Sequence, residues 1–218
     1  MLQIMVNFYN QWDLIKRQIT NLESIIDDKS KVKLILIDDC SRENKLSEIS
    51  TDLNIEKYRI LERKKDWNAG GARNLGFHVA DDGLILSYDS DHFPDKKLIS
   101  YLIDVLNPPN GIFFRFKRNI PERPIPYNIY AIQKSDFWKC GGYDEDFEWY
   151  GDDKSFIHRV THMLPTVTVD VGKFNVVQQK SEGNRDLLPK TRELLNNKIN
   201  NITPWSTEYL RFKWEPVK

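Results

Sequence analysis

The sequence predicts an α/β fold: one domain built on a mostly parallel central sheet flanked by helices. Three observations predict it. Short apolar, β-branched runs alternate with stretches whose apolar residues recur at helical spacing, the pattern of a parallel sheet wrapped by crossover helices. The chain has 218 residues, enough for one domain with a sizeable core and too few for two comfortable ones. Acidic residues gather where apolar runs stop, at Asp38-Asp39 and Asp89-Ser90-Asp91. Those are the strand ends at which open α/β sheets bind ligands.

Taken in order, Leu2–Phe8 reads as a strand, and Trp12, Ile15, Ile19 and Leu22 place a helix after it. Val32–Ile37 is a second strand, ending at Asp38-Asp39-Cys40-Ser41. Lys45–Leu53 reads as a helix and Tyr58–Leu61 as a third strand. Asn68–Val79 begins with glycines and continues as a helix. Leu84–Leu86 is a short buried strand, and Pro94 opens a helix from about Asp95 to Leu106. In the second half, Gly111–Arg118 and Asn128–Gln133 read as strands separated by Pro121, Pro124 and Pro126. Ser135–Lys139 is a short helical turn that Gly141-Gly142 breaks. A helix over Asp152–Thr161, strand-forming residues over Thr166–Gln179 and a helical stripe over Leu187–Ile199 follow. Trp205, Tyr209, Phe212 and Trp214 mark a tail expected to pack back onto the domain. No repeat or low-complexity tract divides the chain, so residues 1–218 are read as one domain with halves of about 1–110 and 111–218.

Composition narrows the class. Thirty-two basic residues balance 32 acidic ones, which argues against a protein built to hold nucleic acid or an anionic membrane. Six tryptophans and 40% hydrophobic residues argue against disorder. Met1–Val6 is an apolar run of strand length without a basic leader or cleavage site, so no signal peptide is read. No stretch approaches the roughly 20 apolar residues of a membrane span. Cys40 and Cys140 read as free thiols of a reducing compartment. The expected location is therefore cytoplasmic.

Four blocks could carry chemistry. On an extended backbone, Asp89 and Asp91 point to one side. Two carboxylates so close need a compensating cation, and hard oxygen ligands suit Mg²⁺ or Mn²⁺; the plainer alternative is a polar turn helped by Pro94. Asp38 and Asp39 could accept hydrogen bonds from a nucleobase or ribose, or serve with Ser41 as a turn or helix cap. In Asn68-Ala69-Gly70-Gly71-Ala72-Arg73 the glycines allow close backbone approach and open a helix whose N–H groups face an anion. Arg73 could fork onto a diphosphate or hold an aspartate; the alternative is a loop–helix junction with Arg73 solvated. This is neither the dinucleotide G-x-G-x-x-G spacing nor a P-loop. Gly141–Asp153 is a glycine-bounded acidic and aromatic loop entering a helix. There Asp152 or Asp153 could act as a general base, or simply complement the helix dipole. Trp149 and Tyr150 could offer a stacking surface for a sugar ring, or belong to the core.

In this order, the strand end Ile37-Asp38-Asp39-Cys40-Ser41, the Asn68–Gly76 block, Ser87-Tyr88-Asp89-Ser90-Asp91 and Gly141–Asp153 resemble a GT-A glycosyltransferase of the family 2 type. The last block is also similar to the W-G-x-E-D-D region of galactosyl- and N-acetylgalactosaminyltransferases. The resemblance covers about residues 2–180. It implies a GT-A (Rossmann-like) sheet, a nucleotide-sugar donor (usually a UDP-sugar), a Mn²⁺ or Mg²⁺ ion on the D-x-D motif, and a glycan or glycoconjugate acceptor. By resemblance, Asp38 or Asp39 would contact the uridine, and Gly70, Gly71 and Arg73 would lie near the diphosphate. Asp89 would touch ribose or metal, Asp91 would be the main metal ligand, and Asp153 would be the base. Asp152, with Trp149 and Tyr150, would meet the acceptor. The first half would then be the nucleotide-sugar half and the second the acceptor half.

Two departures stand out. Asp152 replaces a frequent Glu, one methylene longer. Gln178-Gln179 occupies the region where many relatives supply a late histidine to the metal, which leaves the third ligand unidentified. His158 and His162, on the helix of the base, read as structural. The short chain resembles compact bacterial or viral examples, the latter working in host cytoplasm, or a domain of a larger glycan-synthesis enzyme. Rival readings are a nucleotidyltransferase, a Ca²⁺-stabilised module using Asp89, Asp91 and Asp95, and a non-catalytic sugar-binding domain. The first would want basic residues in Met1–Asn10, which has none. The second lacks the glycine and closing Glu of an EF-hand, with Ser100 at the twelfth position. The third sits poorly with an intact Asp153.

Overall fold

A computed structural model describes residues 1–62, 68–104, 110–147, 150–177 and 188–218. Trp149 and Gln178-Gln179 lie outside the described residues, as do the far ends of the predicted 95–106 helix and 166–179 strand.

β1 (Leu2–Phe8) lies between β2 (Val32–Asp38) and β4 (Leu84–Asp89), parallel to both, and β3 (Asn54–Ile60) continues the parallel block beyond β2. Every residue of β1 and β2 is buried, which is why they read as unbroken apolar runs rather than alternating ones. Their side chains nevertheless alternate between two cores. Leu2, Ile4, Val6 and Phe8 join α1 (Trp12–Ile25) and α3 (Lys96–Asp104) on one face. Met5, Ile35 and Ile37 join α2 (Ala69–Val79) and α5 (Asp152–Met163) on the other. Helix α1 buries Ile15, Ile19 and Leu22, each contributing roughly 1.5–3 kcal/mol, so its 3.6-residue stripe fixes its docking.

Toward its ends the sheet becomes mixed, in the order β5-β8-β6-β7-β4-β1-β2-β3-β9. β7 (Tyr130–Gln133) is antiparallel to β4 and to β6 (Phe113–Arg118). β6 runs parallel to β8 (Thr166–Val176), and β5 (His92–Pro94) pairs antiparallel with β8. The short helix α4 (Lys134–Lys139) follows β7, and α6 (Leu188–Ile199) precedes the tail.

Several elements differ from the sequence reading, among them the short strand β5 over His92–Pro94, where the sequence marked only a helix opened by Pro94. The helix expected over Lys45–Leu53 is a single 3₁₀ turn, Leu46–Glu48. There the Thr51 hydroxyl accepts the Leu53 N–H at 3.2 Å, a local bond that competes with helical ones. β3 starts at Asn54 instead of Tyr58, because its side chains are only half-buried and its N-terminal part is polar. The tail packs back as expected and also adds an edge strand, β9 (Trp214–Val217), antiparallel to β3. Its Trp214 ring sits edge-on to Tyr58 at 5.9 Å. Cys40 and Cys140 form no disulfide. Among the described residues, no helix is long and apolar enough to cross a membrane.

Candidate active site

Parallel pairing brings the carboxyl ends of β1, β2 and β4 level: Asp38 lies opposite Phe8 and Asp89 opposite Asn7. Asp38 is fully buried. Its Oδ1 accepts the Ser41 N–H at 2.8 Å, and Arg59 Nε approaches Oδ2 at 3.6 Å. Asp39 is also buried, and its N–H donates to Phe8 O at 2.8 Å, extending the strand pairing by one residue.

β4 ends at Asp89, the chain turns through Ser90 and Asp91, and β5 starts at His92. Asp91 thus lies in a turn, and it is the turn, rather than strand alternation, that brings the carboxylates together. Asp89, Asp91 and His92 each offer a ligand atom within 4.8 Å of the others. Asp89 Oδ1 accepts from Arg73 Nη2 at 2.5 Å and Oδ2 from Asn128 Nδ2. Asp91 Oδ1 faces His92 Nδ1 at 2.6 Å. The two carboxylates, as hard oxygen donors, fit Mn²⁺ or Mg²⁺. Asp95, the further ligand of a Ca²⁺ loop, is otherwise engaged: its two oxygens accept the Leu98 and Lys173 N–H groups, both at 2.9 Å.

Arg73 projects from the first turns of α2 and is 2% exposed. Besides Asp89, its Nη1 lies 3.1 Å from Asp153 Oδ1 and 3.8 Å from Asp152 Oδ2. Its guanidinium carbon stands 5.1 Å from the centre of the Tyr143 ring. Burial disfavours the charged guanidinium, but Asp153, Asp89 and Asp152 outweigh this and hold its pKa well above the ordinary value. Gly70 and Gly71 meet protein neighbours. A Cβ on Gly70 would lie 3.3 Å from Tyr143 Cβ, and one on Gly71 would lie 2.7 Å from Phe212 Cε1 and 2.4 Å from Asn68 Oδ1.

Asp152 and Asp153 open α5 after Gly151, whose φ of 100° favours glycine. The Tyr143 hydroxyl lies 3.1 Å from Asp153 Oδ1, and its ring stacks on Phe156 with centroids 4.6 Å apart. Burial pushes the Asp152 carboxyl up to about 7; the adjacent Asp153 charge adds to this and Arg73 opposes it. Burial also raises Asp153, again against Arg73. The pair therefore holds a proton far more readily than free aspartates do.

The loop before α5 is clamped from two sides. Asn74 donates to Tyr143 O at 2.9 Å and to Glu145 Oε1 at 2.8 Å, and accepts the Tyr143 N–H at 2.8 Å. Lys198 pairs with Asp144 at 2.8 Å and Asp146 at 2.7 Å, and Glu145 accepts the Leu210 N–H at 2.9 Å. Tyr150 is 37% exposed; its neighbour Trp149 is outside the described residues. The rings of His158 and His162 pack at a tilt of 48° with centroids 4.2 Å apart and belong to no ligand-spaced group among the described residues.

Sequence reasoning missed Tyr143, Asn128 and His92. Tyr143 had a weak signal, its place directly after two glycines, and His92 another, its place directly after the acidic pair. Asn128 had none, since only the β4–β7 pairing brings it to Asp89.

An acidic row at the carboxyl ends of a parallel block, in a mixed sheet of this order, is the architecture of GT-A glycosyltransferases. Residues 3–162 match the family model described as glycosyl transferase family 2, and the chain belongs to that family. It is similar in structure to S. aureus TarS 1–349 in complex with UDP-GlcNAc (TM-score 0.74, 14% identity, 94% of this chain and 68% of that one). It is also similar to the mannosyltransferase PcManGT from Pyrobaculum calidifontis, solved with GDP-Man and Mn²⁺ (0.67, 16%, 95% and 65%). A third neighbour is GalNAc-T7 with UDP, GalNAc and Mn²⁺ (0.69, 13%, 91% and 48%). At these identities the likeness carries the fold, and the chain spans only about half to two thirds of each neighbour. None of the curated proteins matches the sequence.

Proposed function

We propose that this chain transfers a sugar from a nucleotide-sugar, a UDP-sugar in the first instance, to a hydroxyl of a glycan or glycoconjugate, inverting the anomeric configuration. The observation that carries the reading is the Arg73 bridge. One buried guanidinium touches Asp89, at the turn suited to a metal, and Asp153, at the start of α5. Donor and acceptor chemistry would then meet over a single side chain, which supplies the orientation term of a two-substrate reaction.

Asp91 would hold a divalent ion, with Asp89 beside it, and that ion would supply neutralising charge for the departing diphosphate. The surplus of carboxylates favours a cation there: Asp89, Asp152 and Asp153 face Arg73, and Asp91 faces His92, with Arg118 on the far side of that ring. Asp153 accepts the acceptor's hydroxyl proton while that oxygen forms its bond to the anomeric carbon. The bond from that carbon to the diphosphate oxygen breaks, and the nucleoside diphosphate leaves. Asp152 orients the acceptor, and Tyr150 offers it an exposed ring. Asp38 and Asp39 serve the nucleoside end, and Gly70 and Gly71 lie at the diphosphate side. Residues of about 1–110 then form the donor half and about 111–218 the acceptor half. TarS with UDP-GlcNAc and PcManGT with GDP-Man and Mn²⁺ support a nucleotide-sugar donor and a divalent ion.

The test is a panel of UDP- and GDP-sugars assayed for binding and hydrolysis with and without Mn²⁺. Binding of at least one donor is expected to strengthen with Mn²⁺, and Asp91→Ala to abolish that dependence. Equal nucleotide affinity in Mn²⁺ and in chelator would remove the metal from the reading.

A further inference from the structure

We propose that His92 is a positioning residue for Asp91: it orients the carboxylate through an Nδ1–H hydrogen bond and is not itself a metal ligand. The inference rests on the metal role proposed for Asp91 and goes beyond it.

Hydrogen-bond direction sets the tautomer of His92. His92 is 2% exposed. Its Nδ1 lies 2.6 Å from Asp91 Oδ1, and its Nε2 lies 3.3 Å from Arg118 Nη1. A guanidinium can only donate, so Nε2 is the acceptor of that pair. A neutral ring accepting at Nε2 carries its proton on Nδ1 and donates it to Asp91. Both ring nitrogens are then engaged by protein groups, and neither lone pair is left for a cation. Arg118 is itself fixed, since its Nε donates to Arg123 O at 2.9 Å.

The turn around His92 is held from other elements as well. Gln18, buried on α1, donates from Nε2 to His92 O at 2.6 Å and to Ser90 O at 2.9 Å. The Ser90 hydroxyl bonds Gln11, and Asp91 O accepts the Val177 N–H at 3.0 Å. The backbone is thus set by α1 and by the residue after β8, which leaves side-chain torsion as the freedom of Asp91 to be restrained. The His92 bond restrains it by fixing Oδ1. Partners of this kind typically change metal affinity by roughly 10–100-fold when removed.

Two measurements test this. In the metal-free protein, ¹⁵N-detected imidazole spectra should show His92 protonated at Nδ1; protonation at Nε2 alone would overturn the proposal. The second is calorimetry of Mn²⁺ binding in the presence of UDP, for the wild type, His92→Ala and His92→Asn, each checked for folding by its melting transition. The Asn amide can donate from nearly the Nδ1 position but is a poor substitute for an imidazole ligand. His92→Ala is expected to weaken Mn²⁺ binding by roughly 10–100-fold, and His92→Asn to stay within about threefold of wild type on the same principle. Asn falling as far as Ala would make His92 a ligand and reject the positioning role. A wild type that responds to Mn²⁺ beside an unchanged His92→Ala would reject this inference and leave the metal reading standing. A wild type with no response to Mn²⁺ would reject both. Should His92→Ala fail to fold, the spectra of the wild type and the behaviour of His92→Asn still decide the question.

Discussion

Arg73 Nη1 lies 3.1 Å from Asp153 Oδ1, so a cation at the start of α2 is bound to a carboxylate at the start of α5. The two helices present their N-terminal ends to one site, where Asp89 closes the bridge from the sheet. Removing a buried charge leaves its partners uncompensated. Arg73→Met is expected to cost about 3 kcal/mol, the low end for a buried pair because Asp89 and Asp153 are partly exposed. That corresponds to a melting temperature lower by roughly 6–12 °C for a domain of this size. Arg73→Lys should recover only part of it, since one ammonium cannot span three carboxylates. A wild-type melting point for Arg73→Met would show that the bridge adds nothing to stability.

Asp153→Asn keeps the shape and loses the ability to take a proton. Sugar transfer should fall by roughly 10²–10⁴-fold with donor affinity nearly unchanged. Asp152→Asn should instead raise the acceptor KM. Normal transfer by folded Asp153→Asn would place the base elsewhere. A product that keeps the donor's anomeric configuration would reject single displacement.

The carboxyl pair also predicts a pH dependence. Asp152, raised to about 7 by burial and by the Asp153 charge, keeps a proton on the pair below that pH. The acid limb of kcat/KM is therefore expected to rise through about pH 7 in the wild type. Asp152→Asn removes the neighbouring charge, so the limb should move to lower pH. The stability sign is opposite: a folded pKa above the unfolded one stabilises at low pH, and that contribution is lost as pH rises from about 4 toward 7. Unfolding free energies measured over this range should decline less in Asp152→Asn than in wild type. Equal slopes would contradict the burial assigned to Asp152.

Lys198 and Asp144 are both fully buried and 2.8 Å apart. Lys198→Met should therefore cost about 3–5 kcal/mol. Because Asp144 lies in the loop leading to α5, kcat should fall along with the melting temperature, even well below that temperature. A stable variant with wild-type kcat would make α6 a passive cover.

The sequence by itself determined that there is a parallel block and where its strands fall along the chain; their order in the sheet came with the pairing. β1, β2 and β4 were legible because burial on both faces demands continuous apolar runs. α1 was legible from its apolar stripe, and α2 and α5 from the glycines and aspartates at which they open, which are local facts. The four acidic and glycine-rich blocks were legible for the same reason, and with them the family. Local pattern misled at Lys45–Leu53, where Leu46 and Leu53 do reach the core but a Thr51 side-chain bond to the Leu53 N–H competes with helical bonding. Other features came only with the tertiary structure: the Arg73 bridge, Asn128 against Asp89, His92 between Asp91 and Arg118, and β9 at the sheet edge. Each joins residues distant in sequence or sets a hydrogen-bond direction by a third group. Periodicity reports which face of an element is buried; it carries no information about which polar atom from another element will face it there.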